Sequence, residues 1–80
     1  MHVAVEISLY PLADGFIPPI QDFIDRLKAH GELRVITNSM STQVSGDLVQ
    51  VMRALEQEFA ATFEARHRSV FVMKVLGGGD

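Results

Sequence analysis

Residues 3–10, VAVEISLY, alternate strictly: Val3, Val5, Ile7 and Leu9 fall on one side, Ala4, Glu6, Ser8 and Tyr10 on the other. That period of two predicts a strand with one buried face. Pro11 removes a backbone donor and ends the ladder, and Leu12-Ala13-Asp14-Gly15 reads as a loop. Ile17, Ile20, Ile24 and Leu27, with Phe23 beside them, recur at helical spacing. Pro18 and Pro19 fit only the start of that helix. Asp22 lies toward its positive end, and Lys28 and His30 toward its negative end. Gly31 is expected to close it in a left-handed conformation. Residues 33–38 (LRVITN) predict a second strand and 41–45 (STQVS) a third, unusually polar one, joined through Ser39-Met40 as a hairpin. With no Asn-Gly or Asp-Gly present, the turn type stays open. Asp47 predicts the N-cap of a long helix, with Gln50 as its capping-box partner. Leu48, Val51, Met52, Leu55, Phe59 and Phe63 form its apolar stripe, and Arg66, His67 and Arg68 favour its C-terminal end. Residues 69–76 (SVFVMKVL) predict the last strand, and 77–80 a flexible tail.

The order strand-helix-strand-strand-helix-strand predicts an α+β domain over residues 1–76. With right-handed crossovers it becomes a ferredoxin-like βαββαβ sandwich. The expectation is a four-stranded antiparallel sheet, order 4-1-3-2, with both helices on one face. The opposite face is then bare and carries Glu6, Ser8, Tyr10, Val72 and Lys74.

Composition narrows this picture. A chain of 80 residues buries only about 60% of its unfolded surface. The absence of cysteine excludes disulfides and thiolate metal sites, so self-association is a natural route to further burial. A net charge of −3 argues against nucleic acid, whose phosphates need a basic surface, and suits a cationic small ligand. No apolar run approaches the roughly 20 residues that span a bilayer. The start is a strand pattern and not a signal peptide, so no membrane association and a cytoplasmic location are expected.

No catalytic set emerges. His2, His30 and His67 sit at element ends without metal-ligand spacing and read as solvated surface residues. The glycines at 77–79 follow a strand but precede no helix, so they form no phosphate loop. Among ferredoxin-like functions, RNA binding wants aromatic residues on the two central strands. The first strand offers only Tyr10 and the third offers none. A metallochaperone needs a CxxC pair, and an acylphosphatase an arginine in the loop after the first strand; neither is present. The expectation is therefore a non-enzyme without cofactor or metal.

Three features remain, each with two readings. Glu6 either pairs across strands with Lys74 or accepts a ligand amino group or cation. Asn38-Ser39-Met40-Ser41-Thr42 is either turn chemistry or a small polar pocket with Met40 as its adaptable wall. Tyr10 either shields the core edge or offers a stacking face to a ring or cation.

At these residues the chain resembles the YkoF-like thiamine/hydroxymethylpyrimidine-binding family. Val5-Glu6-Ile7-Ser8-Leu9-Tyr10-Pro11-Leu12 is similar to the family's first strand: Glu, aliphatic, Ser or Thr, two aliphatics, Pro, Leu. Ser39-Met40-Ser41-Thr42 is similar to its Gly-Met-Gly-Thr hairpin, and Gly46-Asp47-Leu48 to its entry into the second helix. Tyr10 stands where the family has an aliphatic residue, and Ser39 and Ser41 where it has glycines. The C-terminal helical segment of many relatives does not follow residue 80. The resemblance implies a domain that forms dimers or tetramers and, in some members, binds thiamine or its pyrimidine precursor. An aminopyrimidine suits amide, hydroxyl and carboxylate partners, and a thiazolium cation suits an aromatic face. The expected pocket residues are Glu6, Tyr10, Asn38, Met40 and Thr42. The rival readings are an oligomerisation module without a ligand, and an enzyme whose site is completed across subunits.

Overall fold

The computed structural model describes residues 1–12, 17–65 and 68–78. Its elements are β1 (His2–Pro11), α1 (Ile17–Lys28), β2 (Arg34–Thr37), β3 (Thr42–Asp47), α2 (Leu48–Glu64) and β4 (Ser69–Gly77). The strands form one antiparallel sheet of order β2-β3-β1-β4, which is the expected 4-1-3-2 read from the other side.

The alternation of β1 sets the sheet's two faces. Val3, Val5 and Ile7 are buried, and the register places Val44 beside Val5 and Thr42 beside Ile7. Phe23 and Leu27 of α1 and Val51 and Leu55 of α2 complete that core, so both helices pack on the same side. Full burial of each such side chain contributes roughly 1.5–3 kcal/mol. Tilted ring pairs tie α1, α2 and β4 together, with Phe71 4.3 Å from Phe59 and 4.9 Å from Phe23. On the other face Glu6 lies between Gln43 and Lys74, Ser8 beside Val72 and Tyr10 beside Val70. Ile36, Val70, Val72 and Leu76 are exposed there.

Several expectations are corrected. Gly31 does not adopt a positive φ; α1 ends in bonds from Ala29 to Asp25 and Arg26 and from His30 to Leu27. Asp22 falls beyond the first turn of α1. β3 runs on to Asp47, which caps α2 by accepting from the Val49 N–H at 3.2 Å. The same carboxylate also accepts from the Met1 amino group, at 3.2 Å. Gly46 lets Leu33 and Val51 close over it, since a Cβ there would stand 3.1 Å from Leu33 Cδ2. The inward face of α2 is Val51, Ala54, Leu55, Glu58 and Thr62, leaving Met52 and Phe63, predicted on the apolar stripe, exposed. No basic residue lies in the last turn of α2. Gly77 belongs to β4 and not to a tail. Residues 13–15, Arg66, His67 and 79–80 lie outside the described residues.

Candidate functional site

The four residues Asn38–Ser41 between β2 and β3 form a turn that the Asn38 side chain builds. Its Oδ1 accepts from the Met40 N–H at 2.7 Å and from the Ser41 N–H at 2.9 Å, while the Asn38 N–H donates to the Ser41 carbonyl at 3.0 Å. This is the local chemistry by which Asn nucleates turns. Ser8 of β1 donates to the Met40 carbonyl at 3.4 Å, tying the turn to the end of the central strand. Met40 itself projects outward, 86% exposed.

Two cavities flank this turn. One, of about 170 Å³, lies on the helix side and is walled by Ile7 and Leu9 of β1, Ile20, Phe23 and Ile24 of α1, and residues 38–42. The other, of about 480 Å³, lies on the open face between Glu6, Ser8, Tyr10, Val72, Lys74 and the same turn. Among the residues expected at the site, Tyr10, Asn38 and Met40 border both cavities. Thr42, 6% exposed, borders only the helix-side one. Glu6 borders the open-face one and not the helix-side one. Thr42 faces the core beside Ile7 while Glu6 faces out beside Gln43, so the sheet itself separates these two. Glu6 meets Lys74 at 3.9 Å with both side chains largely in water, the cross-strand pair that sequence reading anticipated. The helix-side lining sets hydroxyl and amide groups against aliphatic and aromatic walls.

The α1 wall of the helix-side cavity was not anticipated, and neither was the device that fixes it. Glu58 of α2 is 4% exposed. Arg26 Nε donates to its Oε1 at 2.8 Å and His30 Nε2 bonds its Oε2 at 2.7 Å. Arg26 Nη2 also donates to Thr62 Oγ1 at 2.8 Å. His30, expected on the solvated surface, is thus drawn into the inter-helix contact with its side chain only 17% exposed. A buried carboxylate survives only when paired and hydrogen-bonded, and this pairing locks α1 against α2. The available signal was spacing: Glu58 and Thr62 are four residues apart and share a face of α2, while Arg26 in the last turn of α1 and His30 just beyond it are brought to that face by the end of the helix.

Among the described residues no group of three or more His, Asp or Glu side chains could hold a metal ion, and no helix is long and apolar enough to cross a membrane.

The fold and turn define a small α+β domain with a recess at the end of its central strand. The chain belongs to the YKOF-related family, whose model matches residues 2–75. Among solved structures, a hypothetical protein of Methanocaldococcus jannascii shares 24% identity at a TM-score of 0.76, over 99% of this chain and 82% of its own. A Streptococcus pneumoniae protein shares 18% at 0.77, over 98% and 88%. A candidate thiamine biosynthesis/salvage protein of Thermotoga maritima shares 17% at 0.73, over 98% and 85%. At these identities the likeness is one of fold. No curated protein matches the chain.

Proposed function

We propose that this protein is a non-catalytic, cytoplasmic, homo-oligomeric binder of thiamine or its hydroxymethylpyrimidine moiety, built on a ferredoxin-like domain. The observation that carries the reading is the Asn38–Ser41 turn, whose residues line both cavities in a chain of the YKOF-related family. The candidate thiamine salvage protein among its structural relatives supports the vitamin class. The helix-side cavity, at about 170 Å³, is below the ~300–1,000 Å³ usual for drug-sized ligands, which favours a single pyrimidine ring there. The open-face cavity, with Glu6 and Tyr10 on its border, is a separate place suited to a cationic ring.

The test is calorimetry and thermal unfolding with thiamine, its phosphates and hydroxymethylpyrimidine. A ligand that binds only the folded chain raises its melting temperature as concentration rises. A melting temperature unmoved by millimolar concentrations of every compound would sink the reading.

A second reading, an oligomerisation module without a small ligand, is favoured by one observation. Ile36, Val72 and Leu76 leave the open face substantially apolar and exposed, and an apolar hollow of about 570 Å³ lies along it.

A further inference from the structure

We infer that the open face takes its ligand as a phosphate monoester, with a cationic ring at Glu6 and Tyr10 and the phosphate between Arg34 and Lys74. The inference rests on the reading that the open-face cavity receives a cationic ring, and it names the chemical form of that ligand. The register lays out the place. One row across the sheet runs Arg34, Ser45, Ala4, Leu76, and the next runs Ile36, Gln43, Glu6, Lys74. Ala4 and Ser45 carry the smallest side chains of the two rows, and the hollow of about 570 Å³ lies over them. Glu6 and Lys74 border both this hollow and the cavity beside Tyr10, so the two spaces adjoin along the sheet.

Charge sorts the two ends. Arg34 and Lys74 bring two cations to the hollow against the single carboxylate of Glu6. That is a local positive excess on a chain whose net charge is −3. The Arg34 side chain is exposed and has no ion pair or hydrogen bond among the described residues. A free guanidinium bonds a phosphate through two parallel N–H groups. The Ser45 hydroxyl and the Gln43 amide, which border the same hollow, add neutral donors.

Lys74 links the two ends. It meets Glu6 at 3.9 Å with its side chain 84% exposed, and such a pair is weakly held. A phosphate over Ala4 draws Lys74 away, which leaves the Glu6 carboxylate to the positive ring. Glu6 and Ala4 are two residues apart on β1, about 7 Å, a gap that a short alkyl phosphate arm covers. A ligand with a free alcohol in place of the phosphate leaves Arg34 without a partner and Lys74 on Glu6.

Calorimetry with thiamine and thiamine monophosphate at fixed ionic strength tests this. The phosphate ester should bind about tenfold more tightly, and the advantage should shrink as salt screens the exposed charges. Arg34→Met and Lys74→Met should each bring the ratio of the two affinities down toward one. Arg53→Met, on α2 and so away from the sheet's open face, should leave the ratio as it is. On the unsubstituted chain, which needs no variant to fold, amide shifts induced by the ester and not by thiamine should centre on Arg34, Ser45 and Lys74. Equal affinities for the two compounds, or an advantage that Arg34→Met leaves whole, would overturn the inference while thiamine binding itself kept the vitamin reading standing. Binding of neither compound would overturn both.

Discussion

Arg26 Nε lies 2.8 Å from Glu58 Oε1 and joins the two helices through a carboxylate that is almost wholly buried. Removing one member of a buried pair strands the other, at a cost of about 3–5 kcal/mol. Arg26→Leu should fall near the low end, about 3 kcal/mol, because His30 still bonds Glu58 Oε2. Thr62→Val, which deletes the partner of Arg26 Nη2, should cost about 1 kcal/mol. Urea midpoints measure both, and midpoints unchanged by Arg26→Leu would contradict the arrangement.

Asp47 gives the chain an acid-sensitive helix start. The Met1 ammonium group beside it, with the Gln50 and Val49 backbone N–H groups, holds its carboxyl below the ordinary 3.8, outweighing the opposing effect of desolvation. A carboxyl depressed in the folded state contributes stability above its unfolded value, and that contribution is lost as pH falls through the lower folded value. Asp47→Asn keeps a competent N-cap but removes the charge. The variant should therefore melt below the unsubstituted chain near neutrality, and the two should converge as pH drops below 3.8. Parallel melting curves across the whole acid range would show that the charge contributes nothing.

How much of this was legible in the sequence depends on whether a feature is local. The first strand could be read because β1 is central and one-sided, so every second residue had to be apolar. The polarity of β3, odd at first sight, resolves once its register is known: Thr42 and Val44 point inward while Gln43 points out. The Asn38 turn was visible because an Asn bonding the N–H groups just ahead of it is local chemistry. The α1 wall of the recess was not, since only tertiary packing brings Ile20 and Ile24 to residues 38–42. Glu58 was missed for a related reason: hydropathy sends a lone acid outward, and its cations come from another helix. The separation of Glu6 from Thr42 by the sheet needed the β1–β3 register, which no single strand encodes.

Asn38 separates the turn's architecture from its recognition role. Asn38→Ala deletes the acceptor of two backbone hydrogen bonds, so stability should fall by about 1–3 kcal/mol. Asn38→Asp keeps an acceptor for both N–H groups and should leave stability nearly intact. It also places a negative charge beside the recess. Binding of thiamine should weaken strongly in Asn38→Ala, through loss of the turn's shape, and be retained in Asn38→Asp. Equal thermal stability of the alanine variant and the parent would refute the structural role assigned to this side chain.

Glu6 allows the bland and functional readings of the open face to be told apart. Its contact with Lys74 spans 3.9 Å between two solvated side chains, and exposed pairs of this kind contribute about 0–1 kcal/mol. Glu6→Gln should therefore shift the urea midpoint only slightly, and Lys74→Met, which removes the other partner, should do the same. Binding responds differently in the two variants if Glu6 receives a ligand cation. Glu6→Gln should then lower thiamine affinity by tenfold or so, about 1.4 kcal/mol. Lys74→Met should leave that affinity unchanged or raise it, because the carboxylate loses a competitor. Hydroxymethylpyrimidine lacks the thiazolium charge, so its affinity should change less than that of thiamine in Glu6→Gln. Calorimetry on the two variants with both compounds decides the matter. An unaltered thiamine affinity in Glu6→Gln would remove the carboxylate from the site and leave it as half of a surface pair.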